Sequence, residues 1–378
     1  MQLTNTQNNF LTFVRAGLWE KEARILQFEH IDFAAIMQLA EAQSVVGLVA
    51  AGLEHVKGGK VPQEWVLQFI GATLQIEQRN KAMNEFVAHL IERLRKEQVY
   101  VILVKGQGIA QCYERPLWRS CGDVDLLLNK DDYRKAKAFL IPIATRVDSE
   151  NIYTKHLALV IQNWEVELHG NLRGGLRRKM DKGLDGIMKS AFRDGRVRSW
   201  LYGKTQIFQL SVEDDIIFVF SHILQHFYKE GIGLRQICDW CRILWTYQKT
   251  IDEISLQSRL NNMGIASEWK AFANFAVNYL DMPAEAMPLY DNSLKWDRKA
   301  RRIFRFVLET GNFGHNKDLV KNHFRYSPLR RKLLTFKYGC LFVLRHFLTF
   351  PLQTIQTLKG VVAYGFRNTF FIGDGWTK

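Results

Sequence analysis

The stretch from Val101 to Asn129, VILVKGQGIAQCYERPLWRSCGDVDLLLN, constrains this chain more than any other part of it. An apolar run, Val101 to Val104, stops at Lys105-Gly106, and a short segment of helical spacing follows. Asp123 and Asp125 then flank Val124 just ahead of Leu126-Leu127-Leu128. The apolar runs suit interior strands, and Gly106 supplies the tight turn between strand and helix. Alternate residues of a strand share a face, which sets Asp123 and Asp125 side by side about 7 Å apart. Two carboxylates so placed repel each other and are costly to bury unless a cation or hydrogen-bond donors satisfy them. Hard oxygen ligands suit Mg²⁺, which takes one or two protein carboxylates and completes its shell with water and phosphate oxygens. For an isolated Asp-x-Asp the alternative is plainer: one residue caps a turn while the other sits at a solvated strand end.

A second acidic strand supports the metal reading. Trp164-Glu165-Val166-Glu167-Leu168-His169 alternates as a half-buried strand requires, so Glu165, Glu167 and His169 share one face. Laid beside the Asp125 strand, it lets Glu167 complete a cluster of three carboxylates; the sequence does not dictate that adjacency. His169 can orient that carboxylate, contact phosphate or join a metal shell, or simply be a hydrogen-bonded neighbour. His156 precedes the apolar run Leu157 to Ile161 and reads as a strand-edge histidine, with substrate contact as its functional alternative.

Lys105-Gly106, the short helix, Arg119, Gly122-Asp123-Val124-Asp125 and the distal Glu167-Leu168-His169 together resemble the bacterial uncharacterised nucleotidyltransferase family of the polymerase-beta-like superfamily. The likeness covers residues 96–170 and, more loosely, 212–244. It implies an α+β fold with a small mixed-sheet core. It also implies catalytic and metal-binding roles for Asp123, Asp125 and Glu167, with Mg²⁺ or alternatively Mn²⁺. Lys105, Gly106, Gln107, Arg119 and His169 are then the expected contacts to a nucleoside triphosphate, whose nucleoside monophosphate passes to a hydroxyl-bearing acceptor. Gln107 stands where the superfamily more often has a small residue such as Ser. That departure opens the alternative of a catalytically silent nucleotide-binding regulatory module.

Four regions follow from the patterning: a helical N-terminal region over 1–97, the nucleotidyltransferase-like region over 98–210, a helical region over 211–310 and a basic, partly apolar extension over 311–378. Gly58-Gly59-Lys60-Val61-Pro62 breaks the first region. The stretch Asn129-Lys130-Asp131-Asp132 is placed to cap a helix over Tyr133 to Leu140, and Ser211 with Asp214 resembles a capping box. Gly174, Gly175, Arg173, Arg177 and Arg178 form a basic loop that is either solvated or near the acceptor. His222 and His226 are spaced to meet on one helix face, where structural roles are expected ahead of zinc ligation. Cys238-Asp239-Trp240-Cys241 has redox-like spacing but sits within a helical pattern, so a buried thiol pair is expected.

With 47% hydrophobic and 24% charged residues, the 378-residue chain can bury a large core. Five cysteines in such a chain do not make a disulfide framework, and its first residues lack a signal-peptide pattern, so a cytoplasmic location is expected. The net charge of +14 is concentrated at one end: Lys295 to Lys378 carries 17 Lys or Arg against four Asp or Glu. No apolar piece of that end is long enough to span a bilayer. Flanked by Arg330-Arg331-Lys332 and Lys359, the stretch Leu333 to Leu358 either closes the helical region or lies on an anionic membrane at its inner face. Metabolite, sugar phosphate, lipid-linked glycan precursor, protein side chain and nucleic acid all remain candidate acceptors. A peripheral membrane scaffold in envelope-glycan synthesis is a further reading of the tail.

Overall fold

The computed structural model describes residues 3–24, 31–57, 60–312 and 328–370. Gly58 and Gly59 of the expected break, the connector 313–327 and the last residues, 371–378, lie outside the described residues, as do the side chains of Arg330, Arg331 and Lys332.

Helices α1 (Asn5–Trp19), α2 (Phe33–Ala42), α3 (Val46–Glu54) and α4 (Gln63–Lys96) come first, with a short parallel ladder between β1 (Ala23–Arg24) and β2 (Val56–Lys57). A capping box starts α1: the Thr4 hydroxyl accepts from Gln7 N–H at 3.2 Å, and Gln7 Oε1 accepts from Thr4 N–H at 3.1 Å. Helices α1 and α3 meet backbone to backbone. A Cβ on Gly17 would stand 1.9 Å from the Leu48 carbonyl oxygen, and one on Gly52 2.0 Å from that of Phe13.

The chain then lays down β3 (Ile102–Val104), α5 (Gly106–Ala110), β4 (Val124–Leu127), α6 (Lys130–Leu140), β5 (Arg146–Val147), β6 (His156–Ile161) and β7 (Trp164–His169). The five strands form one mixed sheet in the order β3-β4-β7-β6-β5. Only the β4–β7 pair is parallel. Helix α6 begins three residues before the expected Tyr133, because Asn129 Oδ1 accepts from the N–H groups of Asp131 and Asp132, both at 2.9 Å, and their carboxylates favour the positive helix end.

Period-two alternation divides the sheet into two faces. Leu103, Val124, Leu126, Leu157, Leu159, Val166 and Leu168 are buried on one, against Met83, Val87, Leu90, Ile91 and Leu94 of α4 and Tyr133, Ala136 and Leu140 of α6. The opposite face carries Asp125, Glu167 and His169. That face also buries Ile102, Val104 and Leu127 at the β3–β4 edge, in a core cluster shared with the N-terminal helices and the second half of the chain.

That half consists of α7 (Arg178–Phe192), the hairpin β8 (Val197–Tyr202) and β9 (Thr205–Leu210), then α8 (Val212–Lys229), α9 (Leu234–Tyr247), α10 (Glu253–Met263), α11 (Ala266–Leu280), α12 (Leu294–Thr310), α13 (Pro328–Leu344) and α14 (Pro351–Phe370). Ser211 caps α8 by accepting from Asp214 N–H at 3.3 Å. Trp240 and Trp269 lie 4.7 Å apart, with Phe220 4.9 Å from Trp269, at the centre of this region. The expected core residues Trp269, Phe272, Phe275 and Leu280 are all fully buried. The end of α13 and the turn after it close the same core: Phe342, Val343 and Phe350 are buried, and the His346 ring sits 3.9 Å from that of Phe227. The outer side of this hairpin stays apolar and exposed at Leu344, Phe347, Leu348 and Leu352. Among the described residues, no helix is long and apolar enough to cross a membrane.

Candidate active site

The parallel pairing of β4 with β7 sets Asp125 directly beside Glu167. Asp123 falls one residue before β4, at the strand's entrance rather than within it. Oxygens of Asp123, Asp125 and Glu167 nevertheless lie within 4.8 Å of one another. Asp125 is 2% exposed, whereas Asp123 and Glu167 are half-buried. The polar face thus presents three carboxylates with one end of the cluster open.

Such a cluster needs positive charge, and Lys105 supplies part of it. Its Nζ lies 2.6 Å from Asp125 Oδ1. Burial disfavours the ammonium, but the charges of Asp125, Asp123 and Glu167 outweigh that penalty and raise its pKa. The backbone is bent to achieve this: Lys105 has φ +56°, a conformation that costs a non-glycine residue about 1–3 kcal/mol, and Gly106 follows at φ +38°. Turn and α5 together return the chain beneath the carboxylates.

The histidines complete the polar face. His169 Nε2 lies 2.7 Å from Asp125 Oδ1 and 3.4 Å from Glu167 Oε2, and His156 Nε2 lies 3.0 Å from Glu167 Oε2. Burial lowers the pKa of His169, but its hydrogen bonds to Asp125 and Glu167 raise it overall. For Glu167 burial is likewise overridden: bonds from His156 and His169, with the Lys105 charge, hold the carboxyl far below the ordinary range. Asp123 goes the other way, pushed up first by the charge of Asp125 and then by burial. The donor set of three hard oxygens around a partly solvated opening fits Mg²⁺ or Mn²⁺.

Two of the expected nucleotide contacts point elsewhere. Gln107 is 2% exposed, and its Nε2 donates towards Met83 Sδ. Arg119 forms a buried two-point pair with Asp239, Nε to Oδ1 at 2.9 Å and Nη2 to Oδ2 at 2.6 Å, while the Tyr113 hydroxyl donates to Asp239 Oδ1 at 2.8 Å. That pair ties the loop before Asp123 to α9. Helix α4 ties the same loop from the other side: Asn80 Nδ2 donates to the carbonyls of Leu117 and Arg119, each at 2.7 Å, and Trp118 Nε1 donates to Glu77 Oε2 at 2.9 Å.

The basic loop after β7 is also engaged internally. Arg173 pairs with Asp185 at 2.7 Å, and Arg177 pairs with the fully buried Glu268 at 2.7 Å. Cys238 and Cys241 are free, buried thiols whose pKa values burial pushes up. His222 and His226 bring their Nε2 atoms to 2.9 Å. Burial first, then the Lys105 charge, keeps His222 well below the ordinary imidazole value. Arg235 of α9 was not singled out by the sequence, yet its charge acts on Asp123, and its Nη1 donates to the Ser120 carbonyl at 2.7 Å. An arginine one residue inside a helix start gives no local sign of what it faces.

Three comparisons with known proteins bear on this geometry. No curated protein matches the chain. Among solved structures it is similar to an antigenic nucleotidyltransferase-like protein from Paracoccidioides brasiliensis, at 13% identity over 53% of this chain and 92% of that one. The TM-score of 0.31 gives that overlap no weight here. The sequence pattern of the family described as uncharacterised nucleotidyltransferase matches residues 29–281, a span that holds the whole mixed sheet, the three carboxylates and the helices α8 and α9. This chain belongs to that uncharacterised nucleotidyltransferase family.

Proposed function

We propose that the chain transfers a nucleoside monophosphate from a nucleoside triphosphate to a hydroxyl-bearing acceptor, with Asp123, Asp125 and Glu167 holding a divalent cation. The observation that carries this reading is the pairing of Asp125 with Glu167 across β4 and β7, which brings three carboxylates together beside a strained Lys105. Mg²⁺ bound there, or Mn²⁺ in its place, would neutralise triphosphate oxygens and lower the pKa of an acceptor hydroxyl. Lys105 balances the excess negative charge and fixes Asp125. Gly106 lets the backbone turn towards the open end of the cluster, where phosphate oxygens would approach.

Glu167 is assigned as a ligand rather than a general base. Its carboxylate stands directly beside Asp125 and shares one cluster of oxygens with Asp123 and Asp125. His169 orients Asp125 and Glu167 through its hydrogen bonds. Arg119 acts through position, since its guanidinium is committed to Asp239 while its own segment leads into Asp123. Gln107 is likewise a packing residue of α5.

Calorimetric titration with ATP, GTP, CTP and UTP in the presence of Mg²⁺ tests the reading, with Asp123→Asn as control. Saturable, Mg²⁺-dependent binding that the variant loses is the expected result. Equal binding by a folded Asp123→Asn chain would remove the carboxylates from the account. Binding without pyrophosphate release across a panel of acceptors would favour the silent regulatory module.

A second reading concerns the tail and is compatible with the first. Exposed Leu344, Phe347, Leu348 and Leu352, near Lys337 and Arg345, support contact with an anionic membrane surface. Co-sedimentation with vesicles rich in anionic lipid, lost on Leu348→Glu, is the expected outcome.

A further inference from the structure

The carboxylate cluster borders a second group of ligand atoms with different chemistry. His156 and His169 stand directly opposite each other on the antiparallel strands β6 and β7, and Glu167 precedes His169 by two residues on the same face. Cross-strand partners are the closest side-chain neighbours in a sheet, and here the imidazole centroids are 4.9 Å apart. The Nε2 atoms of both rings lie near one oxygen, Glu167 Oε2, at 3.0 and 3.4 Å, and that of His169 also reaches Asp125 Oδ1 at 2.7 Å, a contact that a bound ion would replace. One ligand atom from each of the three residues lies within 4.8 Å of the others.

We propose that His156, Glu167 and His169 form a second cation site, selective for a borderline transition ion such as Zn²⁺ and sharing Glu167 with the oxygen-only site. Two imidazole nitrogens and one carboxylate oxygen suit Zn²⁺ and its neighbours in the first transition row and suit Mg²⁺ poorly. Three protein ligands leave a coordination position for water or substrate, as in open zinc sites. The side chains of His156, Glu167 and His169 are 33%, 22% and 15% exposed, so an ion has an aqueous path to them. Sequence patterning shows only the Glu167–His169 half of the site, because the third ligand, His156, comes from the strand paired to theirs through a turn. The three ligands all come from the β6–β7 ladder, so the inference does not require nucleotidyl transfer, although Glu167 belongs to both sites.

The test is calorimetric titration of the full chain with Zn²⁺ in excess Mg²⁺, which occupies the oxygen site, together with ¹⁵N-histidine NMR of the same samples. The wild type is expected to bind one Zn²⁺ with shifts of the His156 and His169 Nε2 resonances. His156→Ala should weaken that binding by more than about 100-fold, beyond what loss of a supporting residue costs. His156→Asn serves as a second variant at this partly exposed position, and matched melting temperatures establish that both are folded. Asp123→Asn should keep the Zn²⁺ site while losing Mg²⁺-dependent nucleotide binding, which separates the two claims. No Zn²⁺ binding by the folded wild type, or equal binding by the His156 variants, would overturn the proposal. So would Zn²⁺ binding lost with Asp123→Asn and kept with His156→Ala.

Discussion

Asp123 and Asp125 sit two residues apart and live in different surroundings. Asp125 is buried and held by Lys105 and His169, whereas the Asp123 carboxyl is pushed up by its neighbour's charge. The sign of the consequence follows from proton linkage. A carboxyl with a raised folded-state pKa makes the folded chain bind more protons than the unfolded one, so stability falls as pH rises through that window. Without divalent cations, Asp123→Asn should therefore melt higher than the wild type at neutral pH. The difference should vanish below the ordinary aspartate value, where both chains are protonated or neutral at that position. Melting curves from pH 3 to 8 in chelator check it, and a variant that melts lower throughout would count against repulsion at Asp123. Lys105 gives the complementary prediction. Lys105→Met strands Asp125 without its cation and should cost about 3–5 kcal/mol in chelator. Added Mg²⁺ should restore part of that loss, measured by denaturant titration.

At the scale of elements, β4 and β7 and the loop leading into β4 carry the site. The strand–turn–helix–strand unit was legible because its apolar runs, its glycine and its acidic pair are all local signals, and the alternation in Trp164 to His169 showed which residues share a face. Their adjacency was not legible. The β4–β7 pair is the parallel one, and α6, β5 and β6 intervene in sequence, so no local pattern encodes the register that sets Asp125 beside Glu167. Arg119 illustrates the same limit. Its motif position suggested a phosphate contact, while its partner Asp239 lies 120 residues away on α9. Arg119→Met should cost about 3–5 kcal/mol by leaving Asp239 buried and unpaired, and Asp239→Asn in the same background should recover part of it. A double-mutant cycle in urea measures this; additive losses would mean that the pair does not brace the loop. At the N-terminal crossing, Gly52→Ala forces α1 and α3 apart and should cost about 1–3 kcal/mol, read from the same denaturant curves.

Across the whole molecule, one apolar cluster runs from Phe10 in α1, through Ile102 and Val104 of the sheet, to Phe350 beyond α13. The C-terminal helices therefore belong to the core on their inner side, whatever their outer side contacts. Their composition announced basic charge and apolar length but not which residues point inward, since the partners Phe227 and Phe306 lie on α8 and α12. Ending the chain at residue 327 should expose those rings and lower the melting temperature, with increased binding of a hydrophobic dye as the readout. The same packing ties the tail to α8 and α12 through Phe227 and Phe306. The most direct measurement is a crystal structure with Mn²⁺ and a non-hydrolysable nucleoside triphosphate, read through manganese anomalous scattering. The account predicts an ion bound by oxygens of Asp123, Asp125 and Glu167, with the triphosphate completing its shell. An ordered triphosphate elsewhere on the protein, with no ion on these carboxylates, would contradict it.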